Sequence, residues 1–219
     1  MSISPSMLEK DQQHIGIFGG TFDPIHLGHT KPSEDIAKQL GLSQVLLVPA
    51  HIPPHKQSTV ASTLQRKKMV ELVCNESSLF TLDERELKRH TKSVTIDSIK
   101  ELKQQHPNAR LYFFIGTDSL ISLPTWHQIQ ELLTLCHFVV STRPGYCPTT
   151  LCDESICKRI TDDINLVKQQ SAGKILLLET CQVNISSTEI RKKLNGKEDC
   201  SEFLSKSVAQ FIEQHKLYR

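Results

Sequence analysis

GIFGGTFDPIHLGHT, Gly16 to Thr30, is the stretch on which the reading of this chain turns. It begins inside HIGIFG, a short apolar run rich in Ile and Phe and bounded by glycine, which is the pattern of a buried strand. Gly19-Gly20-Thr21 follow, Asp23-Pro24 marks a turn, and a helix opens near Leu27. Strand, glycine turn and helix together make a phosphate-binding arrangement, yet neither common template fits. A P-loop ends in Gly-Lys-Ser/Thr, whose lysine reaches the outer phosphates, and a dinucleotide turn needs G-x-G-x-x-G. This stretch has no lysine in that place and carries His26 and His29 instead. On the first turn of a helix their spacing puts both imidazoles on one face. A plainer reading, two solvated surface histidines after a glycine turn, suits an isolated H-x-x-H. It suits the complete string much less well.

Working outward, QVLLVPA, RLYFFIG, HFVVST and KILLLET are short, nearly continuous apolar runs, the composition of strands buried on both faces of a parallel sheet. Helical patterns separate them over roughly Lys31–Leu40, Leu64–Cys74, Ile96–Gln105 and Ile129–Leu135. The alternation predicts an α/β fold, a doubly wound Rossmann-like parallel sheet with right-handed crossovers and a C-terminal helical elaboration. Ligands of such sheets sit beyond the carboxyl ends of the strands, which puts Gly19, Pro49, Gly116 and Thr142 at the mouth of a site. Asp153 to Ser171 is polar and reads as one appended helix; SVAQFIEQHKLYR reads as a closing amphipathic helix. With no internal repeat or linker, residues 1–219 are expected to form one domain, 1–13 loosely ordered and 184–219 holding the two last helices.

A second anion site is legible near the end of the chain. Ser186 and Glu189 have the spacing of a capping box, so a helix is expected from Ser187 through Leu194. Its first-turn N–H groups, at Ser187 and Thr188, point outward with the positive end of the helix dipole behind them. Arg191 lies one turn further on, within reach of the same anion. Taken alone, the segment also fits an ordinary capped helix with a solvated arginine.

Composition narrows the class. Of 219 residues, 26 are Lys or Arg and 24 Asp or Glu, a formal net charge of +2, so no bulk field argues for nucleic acid or a membrane surface. No apolar run is long enough to span a bilayer, and MSISPSMLEKDQQ lacks the apolar core of a secretion signal, which points to the cytoplasm. The seven cysteines are odd in number; Cys147, Cys152 and Cys157 are evenly spaced but have no histidine cluster beside them, so reduced thiols and no protein-held metal are expected.

GGTFDPIHLGH, with His26-Leu27-Gly28-His29, resembles the H-x-G-H signature of the nucleotidyltransferase superfamily, and ISSTEIR, Ile185 to Arg191, resembles its second signature. Between them VPAHIPPHK, LQRKKMVEL, FTLDERELKR, FFIGTDSL, LPTWHQI and STRPGY are similar, in that order and over nearly the whole chain, to the bacterial nicotinate-nucleotide adenylyltransferases. The resemblance implies ATP and nicotinate mononucleotide as substrates, with deamido-NAD and pyrophosphate as products. The attacking phosphate has a second pKa of about 6 and is largely dianionic near neutrality, so no general base is needed. The reaction needs two repelling phosphates held in line and stabilisation of the charge that builds on them. His26 and His29 are therefore assigned to phosphate contact, and Gly19, Gly20 and Thr21 to close approach of the backbone.

By the same resemblance His55, Lys56 and Arg143 look like phosphate ligands and Asp118 a ribose or adenine contact, although each also suits a solvated loop. Trp126, the single tryptophan, looks like the stacking face for the pyridine ring. Ser93-Val94-Thr95 precede a helix, with Thr95 as its expected N-cap and its N–H groups aimed at the pyridine carboxylate. Lys88, Arg89 and Lys92 either steer phosphates or form a solvated helix end. The chain departs from the family at Ala50, where relatives often have asparagine, and at Val94 and His127, where they have an aromatic residue. Mg²⁺ is expected, held mainly by substrate phosphates and water because no carboxylate cluster declares itself. Another adenylyltransferase, a cytidylyltransferase and a non-catalytic nucleotide-binding regulator remain as alternatives, and monomer or homo-oligomer is undetermined.

Overall fold

The computed structural model describes residues 13–51, 59–89, 93–143, 145 and 153–219. His55, Lys56, Lys92, Cys147, Cys152 and all but the last of residues 1–13 lie outside them.

The elements run β1 His14–Gly20, α1 Leu27–Leu40, β2 Val45–Pro49, α2 Thr63–Glu76, β3 Phe80–Leu82, α3 Thr95–Gln105, β4 Arg110–Gly116, α4 Thr117–Ser122, α5 Ile129–Leu135, β5 His137–Thr142, α6 Glu154–Cys157, β6 Ile160–Thr161, α7 Ile164–Gln169, β7 Ile175–Glu179, α8 Ser187–Asn195 and α9 Lys206–Gln214. The strands form one seven-stranded sheet in the order β3-β2-β1-β4-β5-β7-β6. Every pairing in it is parallel. The α/β doubly wound class read from the alternating runs is the observed one.

Each apolar run becomes a central strand because both of its faces are covered. All five residues of β2 are buried, as are Leu111 to Ile115 of β4. One core layer packs Ile36, Leu40, Met69, Val70, Ile190, Val208 and Ile212 from α1, α2, α8 and α9 against the sheet. The opposite layer packs Ile96, Ile99, Leu102, Leu132 and Leu133 from α3 and α5. The strand order reverses between β1 and β4, and that switch point opens a crevice at the carboxyl ends of the strands. Gly19 and Gly116 lie at that crevice as expected, whereas Thr142 is buried and Ala50, rather than Pro49, reaches it.

Two expectations need correction, and two short strands lie outside the apolar runs. Asp153 to Ser171 is not one helix: Asp153 caps α6 by accepting from Ser155 N–H at 2.9 Å, and Asp163 starts α7 by accepting from Asn165 and Leu166 N–H at 2.8 and 3.1 Å. Two caps, Asp153 and Asp163, break the segment, and Ile160–Thr161 between them adds an edge strand to β7. Thr95 is not the N-cap of α3, because Val94 occupies that position with extended backbone and no side-chain cap bond, leaving Thr95 as the first helical residue. Finally, Phe80–Leu82 inside SLFTLDE is a third strand too short for periodicity to reveal.

Candidate active site

β1 delivers Gly20 and Thr21 to the end of the sheet, and the chain then turns through Phe22-Asp23-Pro24 into α1. Phe22 sits in the left-handed region, φ 49°, which a bulky residue adopts only when its surroundings hold it there. Four donors do so. The Thr21 carbonyl accepts from Arg66 Nη1 at 2.7 Å, and the Asp23 carbonyl from Arg191 Nη1 at 2.7 Å. The Pro24 carbonyl accepts from Ser187 Oγ at 3.0 Å, and the Asp23 carboxylate from Tyr218 Oη at 2.8 Å. The same carboxylate also caps the segment before α2, accepting from Val60 and Ala61 N–H at 2.9 and 3.1 Å.

His26 is the N-cap residue of α1 and His29 lies in its first turn. Their rings stack with centroids 3.7 Å apart, and the His26 N–H donates to His29 Nδ1 at 3.2 Å. With Nδ1 accepting, the neutral His29 ring carries its proton on Nε2. Phe22 packs edge-on against His29 at 5.3 Å and Phe18 lies at 5.7 Å, so the ring is walled by aromatic carbon. Gly28 between the two histidines is required by space: a Cβ there would fall 2.9 Å from His26 Nδ1 and 3.2 Å from the Val183 carbonyl. The two histidines therefore face the same way, but they are not a solvated pair. His26 is 5 % exposed and its Nδ1 has no hydrogen-bond partner among the described residues. Burial pushes its pKa down to about 4, against a smaller upward pull from the Glu189 carboxylate.

The second signature arrives at the same place. α8 begins at Ser187 with the reciprocal capping box, Ser186 Oγ accepting from Glu189 N–H at 3.2 Å and the Glu189 carboxylate from Ser186 N–H at 2.8 Å. Ser187 and Arg191 tie its first turns to Pro24 and Asp23, and Arg191 Nη2 also donates to Thr188 Oγ1 at 3.1 Å. Two helix N-termini thus converge on one corner of the sheet, a concentration of positive dipole ends.

Beside this corner lies a cleft of about 540 Å³, walled by Gly19, Gly20 and Thr21 on one side and by Ser93, Val94, Thr95, Trp126 and His127 on the other. Trp126 is half-buried and held edge-on by Phe113 and Phe138, each with ring centroids 6.0 Å away. Because Val94 supplies no side-chain acceptor, the N–H groups that open α3 are left without a side-chain cap at the cleft wall. Glu86, 8 % exposed, also borders the cleft and accepts from Ser98 Oγ at 2.7 Å.

Other expected residues do not line the cleft. Asp118 is exposed in the first turn of α4, and it is Ser119 that lines the cleft. Arg143 is exposed and donates to Asn184 Oδ1 at 3.2 Å. Arg89 is neither a steering charge nor a solvated end: it donates to Ser98 at 3.0 Å and pairs with Glu101 at 2.6 Å.

Known proteins resemble this chain in sequence and in fold. A family model described as cytidylyltransferase-like matches residues 17–193. The chain is 44 % identical over 207 residues to the probable nicotinate-nucleotide adenylyltransferase of Shewanella sediminis, covering 94 % of this chain and 98 % of that protein. It is 43 % identical over 211 residues to the nicotinate-nucleotide adenylyltransferase of Escherichia coli O6:H1, covering 93 % and 97 %. The chain belongs to the nicotinate-nucleotide adenylyltransferase family. In fold it is similar to Plasmodium falciparum nicotinic acid mononucleotide adenylyltransferase complexed with NaAD, with a TM-score of 0.71, 24 % identity, and coverage of 94 % of this chain and 98 % of that one.

Within this nucleotidyltransferase family frame, four residues emerge that sequence reasoning passed over: Asp23, Arg66, Glu86 and Tyr218. Arg66 is fully buried and binds the carbonyls of Thr21 and His51, the latter at 3.2 Å, tying the ends of β1 and β2 together. A signal for it was present, since Arg66, Met69, Val70 and Val73 share the inward stripe of α2 and an arginine there must find buried acceptors. No local pattern marks Asp23 or Tyr218, whose partners are 195 residues apart.

Proposed function

We propose that this chain transfers the adenylyl group of ATP to nicotinate mononucleotide. An oxygen of the mononucleotide phosphate attacks the α-phosphorus of ATP, the bond from that phosphorus to the bridging oxygen of the β-phosphate breaks, and pyrophosphate leaves with the electron pair. The product is deamido-NAD. The attacking phosphate is already dianionic near neutrality, so the chain need supply no base; its work is to hold two anions in line and offset the charge that builds between them.

The observation that carries this reading is the meeting of the two signatures at the β1–β4 switch point. The start of α8 and Arg191 are tied to the turn that leads into His26 and His29. In this reading His29, donating from Nε2, and His26 contact the α- and β-phosphates, Gly19, Gly20 and Thr21 admit the nucleotide close to the backbone, and Ser187, Thr188 and Arg191 hold the outer phosphates. Lys56, His55, Arg143 and Asp118 complete the nucleotide site. The pyridine ring lies on Trp126, with its carboxylate on the uncapped N–H groups of Val94, Thr95 and the residues after them. Favouring the acid are those α3 N–H groups and the dipole behind them.

Among the described residues no group of three or more His, Cys, Asp or Glu stands close enough to hold a metal ion. An accompanying Mg²⁺ is accordingly assigned to the substrate phosphates and water, where it would neutralise part of their charge. No helix among the described residues is long and apolar enough to cross a membrane. Cys74, Cys136, Cys181 and Cys200 are free thiols.

Pyrophosphate release tests the reading, with ATP or CTP as donor and nicotinate mononucleotide, nicotinamide mononucleotide or phosphopantetheine as acceptor. ATP with nicotinate mononucleotide is expected to be the best pair. Preference for CTP, or for another acceptor, overturns it.

A further inference from the structure

We propose that Tyr218 is a positioning residue for adenylyl transfer, setting His29 through Asp23 and Phe22; this rests on the reaction assigned above. Tyr218 lies beyond the end of α9, in the left-handed region at φ 64°, and is 7 % exposed. An aromatic residue in that conformation is held by its surroundings. Its hydroxyl, 2.8 Å from Asp23 Oδ1, is the donor of that bond, because a carboxylate can only accept. Burial, with the Asp23 carboxylate beside it, pushes the phenol pKa up and keeps the proton in place.

Asp23 is the hub of this corner. Its carboxylate orders Val60 and Ala61, and its carbonyl receives Arg191. Next to it Phe22, also left-handed, presses its ring edge-on against His29. Phe22 has little freedom to relax towards the strand, since even a Cβ on Gly20 would fall 2.8 Å from its ring. Among the described residues the hydroxyl of Tyr218 is the one side-chain donor that reaches the Asp23 carboxylate, the other two donors being the backbone N–H groups of Val60 and Ala61. Removing it lets Asp23 rotate towards those two, and the displacement passes to Phe22 and to the ring that rests on it. The aromatic body of Tyr218, part of the buried core, is untouched by loss of the oxygen alone.

Tyr218→Phe is the discriminating variant. Its kcat is expected to fall by about tenfold to a hundredfold, the scale of a sub-ångström to ångström misplacement of a reacting group. The Kd values for ATP and nicotinate mononucleotide stay within about twofold, because the outer phosphate and pyridine contacts are not involved. The ¹⁵N resonances of the His29 imidazole shift in the variant without any substrate, and the Val60 and Ala61 amides exchange faster. Asp23→Asn, where it folds, reproduces the loss, and the double variant is no worse than the poorer single one.

A variant that melts at lower temperature but keeps the wild-type kcat, or whose His29 resonances stay in place, overturns the proposal and leaves Tyr218 a packing residue. If the wild type fails to adenylylate nicotinate mononucleotide, the assigned reaction fails by itself. The imidazole resonances then decide the positioning role independently.

Discussion

Two buried histidines at opposite ends of the sheet look alike until their partners are counted. His26, at the carboxyl end, and His137, which opens β5 at the amino end, are 5 % and 0 % exposed. Burial is the main cause in both of a pKa pushed down to about 4. His137 has both nitrogens engaged: Nδ1 accepts from Lys174 N–H at 3.2 Å and Nε2 donates to the Gln170 carbonyl at 2.9 Å. One tautomer is locked, and the ring ties β5 to the turn before β7. His26 has a buried Nδ1 with no partner among the described residues. Keeping that nitrogen dry and unpaired opposes stability, which supports the phosphate contact proposed for His26. Depressed basicity alone does not separate the two roles; unsatisfied hydrogen-bonding capacity does.

The largest test of this contrast is by substitution. His29→Ala or His26→Ala should lower kcat by about 10²–10³, the usual effect of losing one preorganised donor, with the melting curve little changed. His137→Leu should do the reverse, leaving kcat within about twofold while costing about 1–3 kcal/mol of stability, because Lys174 N–H and the Gln170 carbonyl lose their partner. Chemical denaturation and pyrophosphate release on the three variants measure both. A stable, inactive His137 variant would break the comparison.

Acid titration sharpens it. Both histidines are less basic folded than unfolded, where the value is about 6.5. The unfolded chain therefore takes up protons first, and stability is complete above about pH 6.5 and lost progressively down to about pH 4. The loss is on the order of 3 kcal/mol for each ring, measured by denaturation across that range. A bound polyphosphate should raise the pKa of His26 and leave that of His137 in place, which imidazole NMR with and without ATP will resolve; equal movement of both would mean that His26 does not face the nucleotide.

Smaller effects test the neighbours of His26. The ratio of kcat/KM for nicotinate over nicotinamide mononucleotide at saturating ATP should be roughly 30- to 150-fold, from two hydrogen bonds at the start of α3 that are stronger to a charged acceptor. A ratio near one would remove the acid from that helix. Arg191→Ala should weaken ATP by about 1.5–3 kcal/mol with little change in the mononucleotide. Calorimetry on each substrate separates this from a folding defect, which would weaken both alike.

Wherever a property resides in a few neighbouring residues, it was legible before any coordinates. The alternation of apolar runs with helical patterns determined the doubly wound sheet, because burial on both faces demands continuous Val, Ile and Leu. Ser186 and Glu189 determined where α8 begins, because a cap is a bond between residues three apart. His26 and His29 declared by their spacing two rings on one face at a helix start, as their stacking at 3.7 Å shows. Periodicity missed β3 and β6, which are three and two residues long and exist only because a neighbouring strand offers them a partner. Thr95 was misread as a cap because the residue type suits that position, whereas the path of the chain into α3 gives it to Val94. The burial of His26, the buried Arg66 and the bond from Tyr218 to Asp23 were decided only by tertiary structure. Each depends on groups brought together by sheet order and helix packing, and the hydrogen bond of Tyr218 has a sequence separation of 195 residues, over which no local pattern carries information.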